Sequence, residues 1–307
     1  MLYGLQAGGD TYAEILEWAR WAETRGLSGF AIPDHFVRGA GYSPDGEEPS
    51  LDALAVMSGL ARETDSIELF LLVSPVTWRH PAVLAKTYAT VDEMSGGRLT
   101  LGVGTGWLER EHQLFGLPFP STGIRFEMLE EALQYLRAAF SDPPVSFHGD
   151  HYTFDAFDMQ PRPELRLVVG GVGAVKTPTL AGRYCNELNA YPAPEEEFAA
   201  KVRIARGAAL EAGRDPDALL ISSSGVIIAG DTEGEYRGRL ERFAEMMRSP
   251  LDEVEEGLEH RNSPRGTWAE VREVLGGMER AGMERFWIQA WGDEPADVDR
   301  ALDRLGA

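Results

Sequence analysis

The chain has 307 residues, of which 43% are hydrophobic and 26% charged, so it can bury a large core and is not of the disordered type. Its formal charge of −21 argues against nucleic-acid partners and anionic membrane surfaces, which attract basic faces. No segment approaches the roughly 20 apolar residues that a membrane span needs. The only cysteine is Cys185, so we expect no disulfide framework and a reducing, cytoplasmic location.

Eight short apolar segments predict strands that alternate with amphipathic stretches along the chain. The first helical stretch begins at a capping box of Thr11 and Glu14, and another begins with Pro81 after His80. Eight strand–helix units in a chain of this length predict an α/β fold with one closed (β/α)8 barrel of the TIM type. The predicted strands are residues 2–6, 29–33, 67–73, 98–103, 165–170, 187–191, 219–229 and 285–291.

No linker rich in Pro, Gly or Ser divides the chain, so we expect residues 1–307 to form a single domain. Residues 141–163 are too long and irregular for a tight connection, and they predict an insertion between strands 4 and 5 that carries a short hairpin. The segment HGDH at 148–151 lies in this insertion. Its two histidines have no further ligand cluster, so we expect no metal site.

The segment AIPDHF at 31–36 ends the second predicted strand with an ionisable pair, Asp34 and His35. Active sites of such barrels lie at the C-terminal ends of the strands, so this pair would face the chemistry. Ser74 ends the third strand, and Thr105 follows the fourth. The alternative for His35 is a histidine that is hydrogen-bonded for structural reasons alone.

Two glycine-rich segments follow the fourth and fifth predicted strands. The first, GVGTGW at 102–107, has the spacing G-x-G-x-G rather than G-x-G-x-x-G, and we expect a long loop after it, so it does not predict a dinucleotide site. The second, GGVGAVKT at 170–177, is a near miss for a P-loop, with Val175 where the second glycine should be. Backbone N–H groups there could cradle a phosphate, because Thr177–Pro178 can begin a helix. A tight strand-to-helix turn that needs glycine for backbone reasons is the equal alternative.

Three segments together resemble the luciferase-like flavin-dependent oxidoreductases. They are YAEILEWARWAETRGLSGFAIPDHF, VSPVTWRHPAVLAKTYATVDEMSGGRLTLGVGTGW and GTWAEVREVLGGMERAGMERFWIQ. The similarity runs through nearly the whole chain, and the three segments occur in the same order as in the family. The resemblance implies a barrel with an insertion and a cofactor at its mouth, either FMN or the deazaflavin coenzyme F420.

The resemblance also assigns roles by position. Asp34 and His35 match the histidine pair beside the redox-active ring, where His35 would move a proton and Asp34 would orient or charge it. Leu71–Leu72 match a peptide bulge, sometimes cis, behind the ring. The cofactor-binding positions that these matches and the strand ends predict are Leu71, Leu72, Ser74, Thr105, Gly106, Gly170, Gly171, Val172, Gly173 and Asn189.

The chemistry that the resemblance implies is hydride transfer between F420 and a small organic substrate. Deazaflavin-using relatives often have Gly-Thr or another small hydroxyl residue where this chain has Phe70–Leu71, which leaves an FMN-dependent monooxygenase as the alternative. A non-catalytic flavin-binding barrel is the second alternative. The predicted mouth has no evident lysine or arginine cluster, which argues against a sugar phosphate. The family also implies a homodimer, with the helical face that ends at Phe140 as one candidate contact.

Overall fold

Eight parallel strands close into a barrel with helices around its outside. The computed structural model describes residues 1–38 and 48–307. The strands are β1 (Leu2–Gln6), β2 (Phe30–Ile32), β3 (Val37–Arg38), β4 (Glu48–Pro49), β5 (Leu69–Pro75), β6 (Leu99–Gly104), β7 (Phe147–His148), β8 (Thr153–Phe154), β9 (Leu167–Gly171), β10 (Glu187–Ala190), β11 (Leu220–Gly225), β12 (Ile228–Gly230), β13 (Arg265–Thr267) and β14 (Arg285–Gln289).

The helices follow the strands in the alternation that the sequence predicts. They are α1 (Tyr12–Thr24), α2 (Ala53–Glu63), α3 (Pro81–Ser95), α4 (Glu109–Phe115), α5 (Thr122–Ala139), α6 (Lys176–Tyr184), α7 (Glu195–Glu211), α8 (Glu233–Met247), α9 (Leu251–His260), α10 (Trp268–Arg280) and α11 (Pro295–Leu305). A short 3₁₀ helix, Pro216–Ala218, precedes β11. None of the helices in the described ranges is long and apolar enough to cross a membrane.

The order of hydrogen-bonded strands around the barrel is β1, β14, β11, β10, β9, β6, β5 and β2. Each of the eight predicted segments overlaps one of these strands, so the predicted TIM-type barrel is confirmed. Residues 219–229, predicted as one strand, contain β11 and also the start of β12. Three two-stranded pairs lie outside it: β3 with β4, β7 with β8, and β12 with β13. The antiparallel pair β7–β8 lies within residues 141–163, between α5 and β9.

Local signals account for several helix ends. The Thr11 side chain caps α1, and Glu14 completes the capping box that the sequence predicts. Helix α3 begins with Pro81 and ends at Gly96, whose φ of 73° is in the left-handed region that glycine adopts without strain. The expected long loop after β6 is wrong, because only four residues, 105–108, separate the strand from α4, which begins at Glu109. A helix therefore begins sooner after this strand than the sequence indicates.

The barrel interior is packed by large side chains near the N-terminal ends of the strands. Trp287 of β14 and Phe70 of β5 are fully or almost fully buried, and their rings meet edge to face at 4.6 Å. Gly4 of β1 makes room for this packing, since a Cβ there would lie 2.4 Å from the Trp287 ring. These aromatic side chains thus fill the barrel towards the N-terminal ends of the strands, and we call this side the closed end.

The apolar face of α5 that ends near Phe140 is covered within the protomer. Phe140 is buried, and its ring packs against the buried Tyr88 of α3 at 6.0 Å. This face is therefore not free to form a subunit contact, which corrects the expectation placed on it. The homodimer itself stays a prediction.

Candidate active site

The closed barrel brings the residues predicted from strand ends to one end of the molecule. Parallel strands put their C-terminal ends on the same side, and we call this side the mouth. The parts of the chain that reach it are the segments after β2 and β6, the C-terminal ends of β5 and β9 with the residues that follow them, and the end of β10. They carry the predicted residues Asp34, His35, Ser74, Thr105, Gly106, Gly170, Gly171, Val172, Gly173 and Asn189.

Asp34 lies at the mouth in a buried ion pair with Arg79. Both carboxylate oxygens accept from the guanidinium, Oδ1 at 3.3 Å from Nη2 and Oδ2 from Nη1. Arg79 also donates to Asp52 Oδ2 at 2.6 Å and to Ser74 Oγ at 3.3 Å. Burial raises the pKa of Asp34, and the adjacent Arg79 opposes that shift. Arg79 thus joins the segments after β2 and β5 and is itself neutralised by two carboxylates.

The hydrogen-bond partner of His35 is Glu111 of α4, which sequence reasoning missed. His35 Nδ1 lies 3.0 Å from Glu111 Oε2, while Oε1 of the same carboxylate accepts from the backbone N–H of Phe36 at 2.5 Å and of Val37 at 2.9 Å. Glu111 is buried, whereas the His35 side chain is 25% exposed. Glu111 therefore occupies the orienting position that the sequence analysis gave to Asp34.

Aromatic rings surround the exposed part of His35. Its ring meets the rings of Trp107 at 5.9 Å and Trp78 at 6.2 Å, both edge to face. Phe36 stacks on Trp78 at 4.2 Å and touches Phe115 at 5.1 Å. Trp107 is 57% exposed despite its size. An imidazole and an apolar, partly open surface thus lie side by side at the mouth.

His112, the neighbour of Glu111, supports the segments after β5 and β6. Its Nε2 accepts from Trp78 Nε1–H at 3.1 Å and lies 2.6 Å from Thr77 Oγ1, and its Nδ1 lies 2.9 Å from the Leu108 carbonyl oxygen. Because an indole nitrogen only donates, Nε2 is unprotonated and the proton is on Nδ1. His112 is therefore a buried structural histidine, and it holds Thr77 near Gly106.

Strand β5 carries a bulge at the mouth. Its register against β6 shifts between Leu71 and Ser74, and the Leu72–Val73 peptide is cis, one residue later than the predicted Leu71–Leu72. The Val73 side chain turns towards β6 and β9. A Cβ on Gly102, Gly104 or Gly170 would lie within 2.8–3.0 Å of it. Glycine on these two strands therefore makes the room that Val73 fills.

Two glutamines hold the carbonyl of the bulge. Gln6 Nε2 of β1 donates to the Leu72 carbonyl oxygen at 2.7 Å, and Gln289 Nε2 of β14 donates to Gln6 Oε1 at 2.8 Å. Only the amide NH₂ can donate, so each contact fixes the orientation of the next amide. The bulge is thus tied across β2 to β1 and β14 by side chains that sequence reasoning did not single out.

The second glycine segment leads directly into α6. Val175 precedes the helix, and no side chain caps the helix start. Gly173 is required by close approach, since a Cβ there would lie 2.6 Å from Thr177 Oγ1; at Gly171 the same distance is 3.4 Å. Val172 between them is 71% exposed. An uncapped helix start behind a glycine loop has backbone N–H groups of the kind that bind phosphate, so this segment fits a phosphorylated cofactor.

Asn189 is held inside the barrel wall. Its Nδ2 donates to Ser222 Oγ at 2.9 Å, and its Oδ1 accepts from Ser224 Oγ at 3.2 Å. The side chain is buried. The structure therefore places Asn189 near the mouth, with its amide engaged by β11.

Comparison with known proteins identifies related sequences and folds. A family model described as Luciferase-like monooxygenase matches residues 3–295. An F420-dependent glucose-6-phosphate dehydrogenase of Kineococcus radiotolerans is 33% identical over 186 residues, 58% of this chain and 54% of that protein. An FMNH(2)-dependent dimethylsulfone monooxygenase of Pseudomonas putida is 28% identical over 246 residues, 76% of this chain and 66% of that protein. The chain thus matches about half to two thirds of these relatives' lengths.

Solved structures share the fold at lower sequence identity. An F420-dependent secondary alcohol dehydrogenase, in complex with an F420-acetone adduct, superposes with a TM-score of 0.76. It is 24% identical, and the match covers 94% of this chain and 92% of that one. This likeness concerns the barrel and its connections.

Proposed function

Since the chain belongs to the luciferase-like monooxygenase family, we propose that it is an oxidoreductase that transfers hydride between F420 and a small, uncharged organic substrate. The observation that carries the proposal is the placement of His35. Its imidazole is partly exposed at the barrel mouth, with Nδ1 engaged by a buried carboxylate and an aromatic surface beside it. A histidine can exchange a proton near neutral pH, which hydride transfer to or from a hydroxyl or carbonyl carbon requires.

The cofactor's phosphate would bind at the glycine segment. The uncapped start of α6 and the loop from Gly170 to Gly173 would supply backbone N–H groups to it. The bulge at Leu72–Val73, with Leu71 and Ser74 beside it, would support the ring system, and Thr105 and Gly106 would lie next to it. When bound, F420 supplies a carbon centre that accepts or gives a hydride. Asn189, whose amide is hydrogen-bonded to Ser222 and Ser224, would help to shape the barrel wall beside the cofactor.

The charges at the mouth favour a substrate without a phosphate. Arg79 is the guanidinium that reaches this region from the segment after β5, but Asp34 and Asp52 neutralise it. A phosphorylated sugar would meet two carboxylates there for one arginine. We therefore infer that the substrate of this chain differs from the one named for the related glucose-6-phosphate dehydrogenase. It would be an uncharged molecule that can lie against Trp107.

The second candidate is an FMN-dependent monooxygenase. The P. putida relative, which is FMNH(2)-dependent, matches a larger share of this chain, 76% against 58%. The same glycine segment would bind the phosphate of either cofactor. A barrel that binds flavin without turnover is the third reading, and it differs from both in kinetics alone.

The deciding experiment is cofactor titration. The purified protein is titrated separately with F420 and with FMN, with fluorescence detection, and we expect F420 to bind at least tenfold more tightly. Tight FMN binding without F420 binding would replace the first candidate with the second. F420 binding without hydride exchange with any alcohol, aldehyde or ketone in a panel would favour the non-catalytic barrel.

A further inference from the structure

We propose that Glu111 is a positioning residue that fixes the tautomer of His35, keeping the proton on Nδ1 and leaving Nε2 unprotonated. The inference starts from the donors that meet this carboxylate. Backbone N–H groups of Phe36 and Val37 point at Oε1, and His35 Nδ1 lies 3.0 Å from Oε2. Two backbone N–H groups already donate to Oε1, and an ionised carboxylate only accepts hydrogen bonds, so His35 Nδ1 is the donor to Oε2 and carries a hydrogen.

The consequence for His35 is that one ring nitrogen is committed and the other is left for ligands. In the neutral imidazole with Nδ1–H, Nε2 has a lone pair and can accept a proton. No described side chain is hydrogen-bonded to Nε2, and part of the ring is exposed at the mouth. The proton that His35 exchanges during turnover therefore enters and leaves at Nε2. This last step rests on the proposed function, whereas the tautomer does not.

A glutamine at position 111 would reverse the tautomer without removing the contacts to the backbone. Its carbonyl oxygen can still accept from Phe36 and Val37, and this leaves the NH₂ group facing His35 Nδ1. Turning the amide over would instead point NH₂ at two backbone N–H groups, which costs more than one contact. Nδ1 must then become the acceptor, and the ring proton moves to Nε2.

The helix that carries Glu111 also explains why its position is fixed. The next residue, His112, is hydrogen-bonded to Thr77 and Trp78 in the segment after β5. Glu111 is hydrogen-bonded to His35 in the segment after β2. One turn of α4 thus braces two neighbouring segments of the mouth. His112 can also serve as an internal reference for a measurement of tautomers. Trp78 donates to Nε2 of His112 and so fixes the Nδ1–H tautomer of His112 independently of Glu111.

The test is ¹⁵N NMR of histidine-labelled, cofactor-free protein at mildly alkaline pH, where histidine side chains in general are neutral. The His35 signals are assigned by their absence from His35→Asn. In the wild type we expect Nδ1 to be protonated and Nε2 not. In Glu111→Gln we expect the reverse, with the His112 signals unchanged. Glu109→Gln, an exposed change on the same helix, is the matched control and should resemble the wild type.

Two results would overturn the proposal: a wild-type His35 protonated on Nε2, or an unchanged tautomer in a folded Glu111→Gln. If Glu111→Gln fails to fold, the wild-type signals still decide. A second measurement is single-turnover hydride transfer, which should slow by about a hundredfold or more in Glu111→Gln because Nε2 can no longer accept. Failure of F420 to bind would remove the proposed function and leave the NMR result standing.

Discussion

Each end of the barrel contains a buried carboxylate paired with an arginine, but the surroundings of the two pairs differ. At the closed end, Glu187 Oε2 accepts from Arg285 Nη1 at 2.8 Å, and Trp287 Nε1 donates to the other oxygen at 3.3 Å. The rings of Phe70 and Trp287 cover the Arg285 guanidinium. At the mouth, Arg79 pairs with the buried Asp34 and also with Asp52, whose side chain is 45% exposed.

This difference separates stability from chemistry within one barrel. The pair at the closed end is enclosed by packed rings, so losing one partner would leave a charge that water cannot reach. Each arginine also has a partly exposed carboxylate near it, since Asp52 is bound to Arg79 and Glu68 lies 3.8 Å from Arg285 Nη2. The pair at the mouth differs in that no rings of the described residues enclose it in the same way and that it lies next to His35, whose side chain is 25% exposed. We therefore expect changes at the mouth to reduce turnover or ligand affinity and changes at the closed end to reduce the free energy of unfolding.

The largest expected effect is that of His35→Asn at the mouth. Under the proposed function this change removes the group that exchanges the proton, which should lower the rate of hydride transfer by about a hundredfold to ten-thousandfold. Cofactor affinity should change little, because the glycine segment proposed to bind the phosphate is a different part of the mouth. The free energy of unfolding should also change little, because the His35 side chain is partly exposed. The measurement is pre-steady-state reduction or oxidation of bound cofactor. Equal rates at saturating substrate, together with lower stability, would make His35 a structural histidine.

The next effect is that of Arg285→Met at the closed end. Removing one partner of a buried pair should lower the free energy of unfolding by about 3–5 kcal/mol, measured by urea denaturation. Cofactor affinity should stay within about twofold, since the change lies at the opposite end. The double change Glu187→Leu with Arg285→Met should recover most of the loss. A loss below about 1 kcal/mol would show that the rings, rather than the ion pair, maintain the closed end.

A third effect concerns Asp293, which follows β14 on the mouth side and is bonded to Arg239 at 2.7 Å. Burial raises its pKa from the usual 3.8 to about 6. The folded state thus binds this proton more tightly than the unfolded state, so the group favours folding when protonated and that contribution is lost as pH rises from about 4 to about 6. The loss is about 2–3 kcal/mol.

Asp293→Asn tests this pH dependence. The wild-type free energy of unfolding minus that of the variant should fall as pH rises through this window and be flat above about pH 7. Both proteins are measured in urea at a series of pH values. A difference that does not vary with pH would mean that Asp293 is better solvated than its burial indicates.

The smallest effect is that of the glycine segment on affinity. Gly171→Val and Gly173→Val should each weaken cofactor binding by at least about tenfold, because a side chain would block approach to the backbone N–H groups. Gly173→Val also crowds Thr177, so Gly171→Val is the cleaner variant. Val172→Ala changes only an exposed side chain of the same loop and keeps every backbone N–H group, so it is the control for the contribution of the backbone. Unchanged affinity in folded Gly171→Val would remove this loop from the site.

The barrel could be predicted from the sequence because its strands are separated, repeated and bounded by clear helix signals. The exact position of the bulge could not. Residues 69–73 are apolar throughout, so no alternation between faces fixes the register of β5, and the bulge occurs one residue later than expected. The predicted end residues reach the mouth because that depends on strand order alone.

Glu111 could not be found because its role depends on a contact across 76 positions of sequence. In a chain with 50 acidic residues, a glutamate in LEREH reads as part of a solvated face. One signal was available. Leu108, Glu111, His112 and Phe115 follow the spacing of one helical face, and two polar residues on such a face indicate buried hydrogen bonds. The same reasoning would have drawn attention to His112.

The contact of Val73 with glycines on two other strands restricts how the mouth can change through mutation. A side chain at Gly170 would meet Val73 first, at 3.0 Å, so a smaller residue at position 73 would make Gly170→Ala acceptable. At Gly102 the same compensation would fail, because a Cβ there would lie 2.1 Å from the Leu71 carbonyl oxygen, which belongs to the backbone. Positions 73 and 170 can therefore exchange volume between strands, whereas position 102 is confined to glycine by the path of the chain itself.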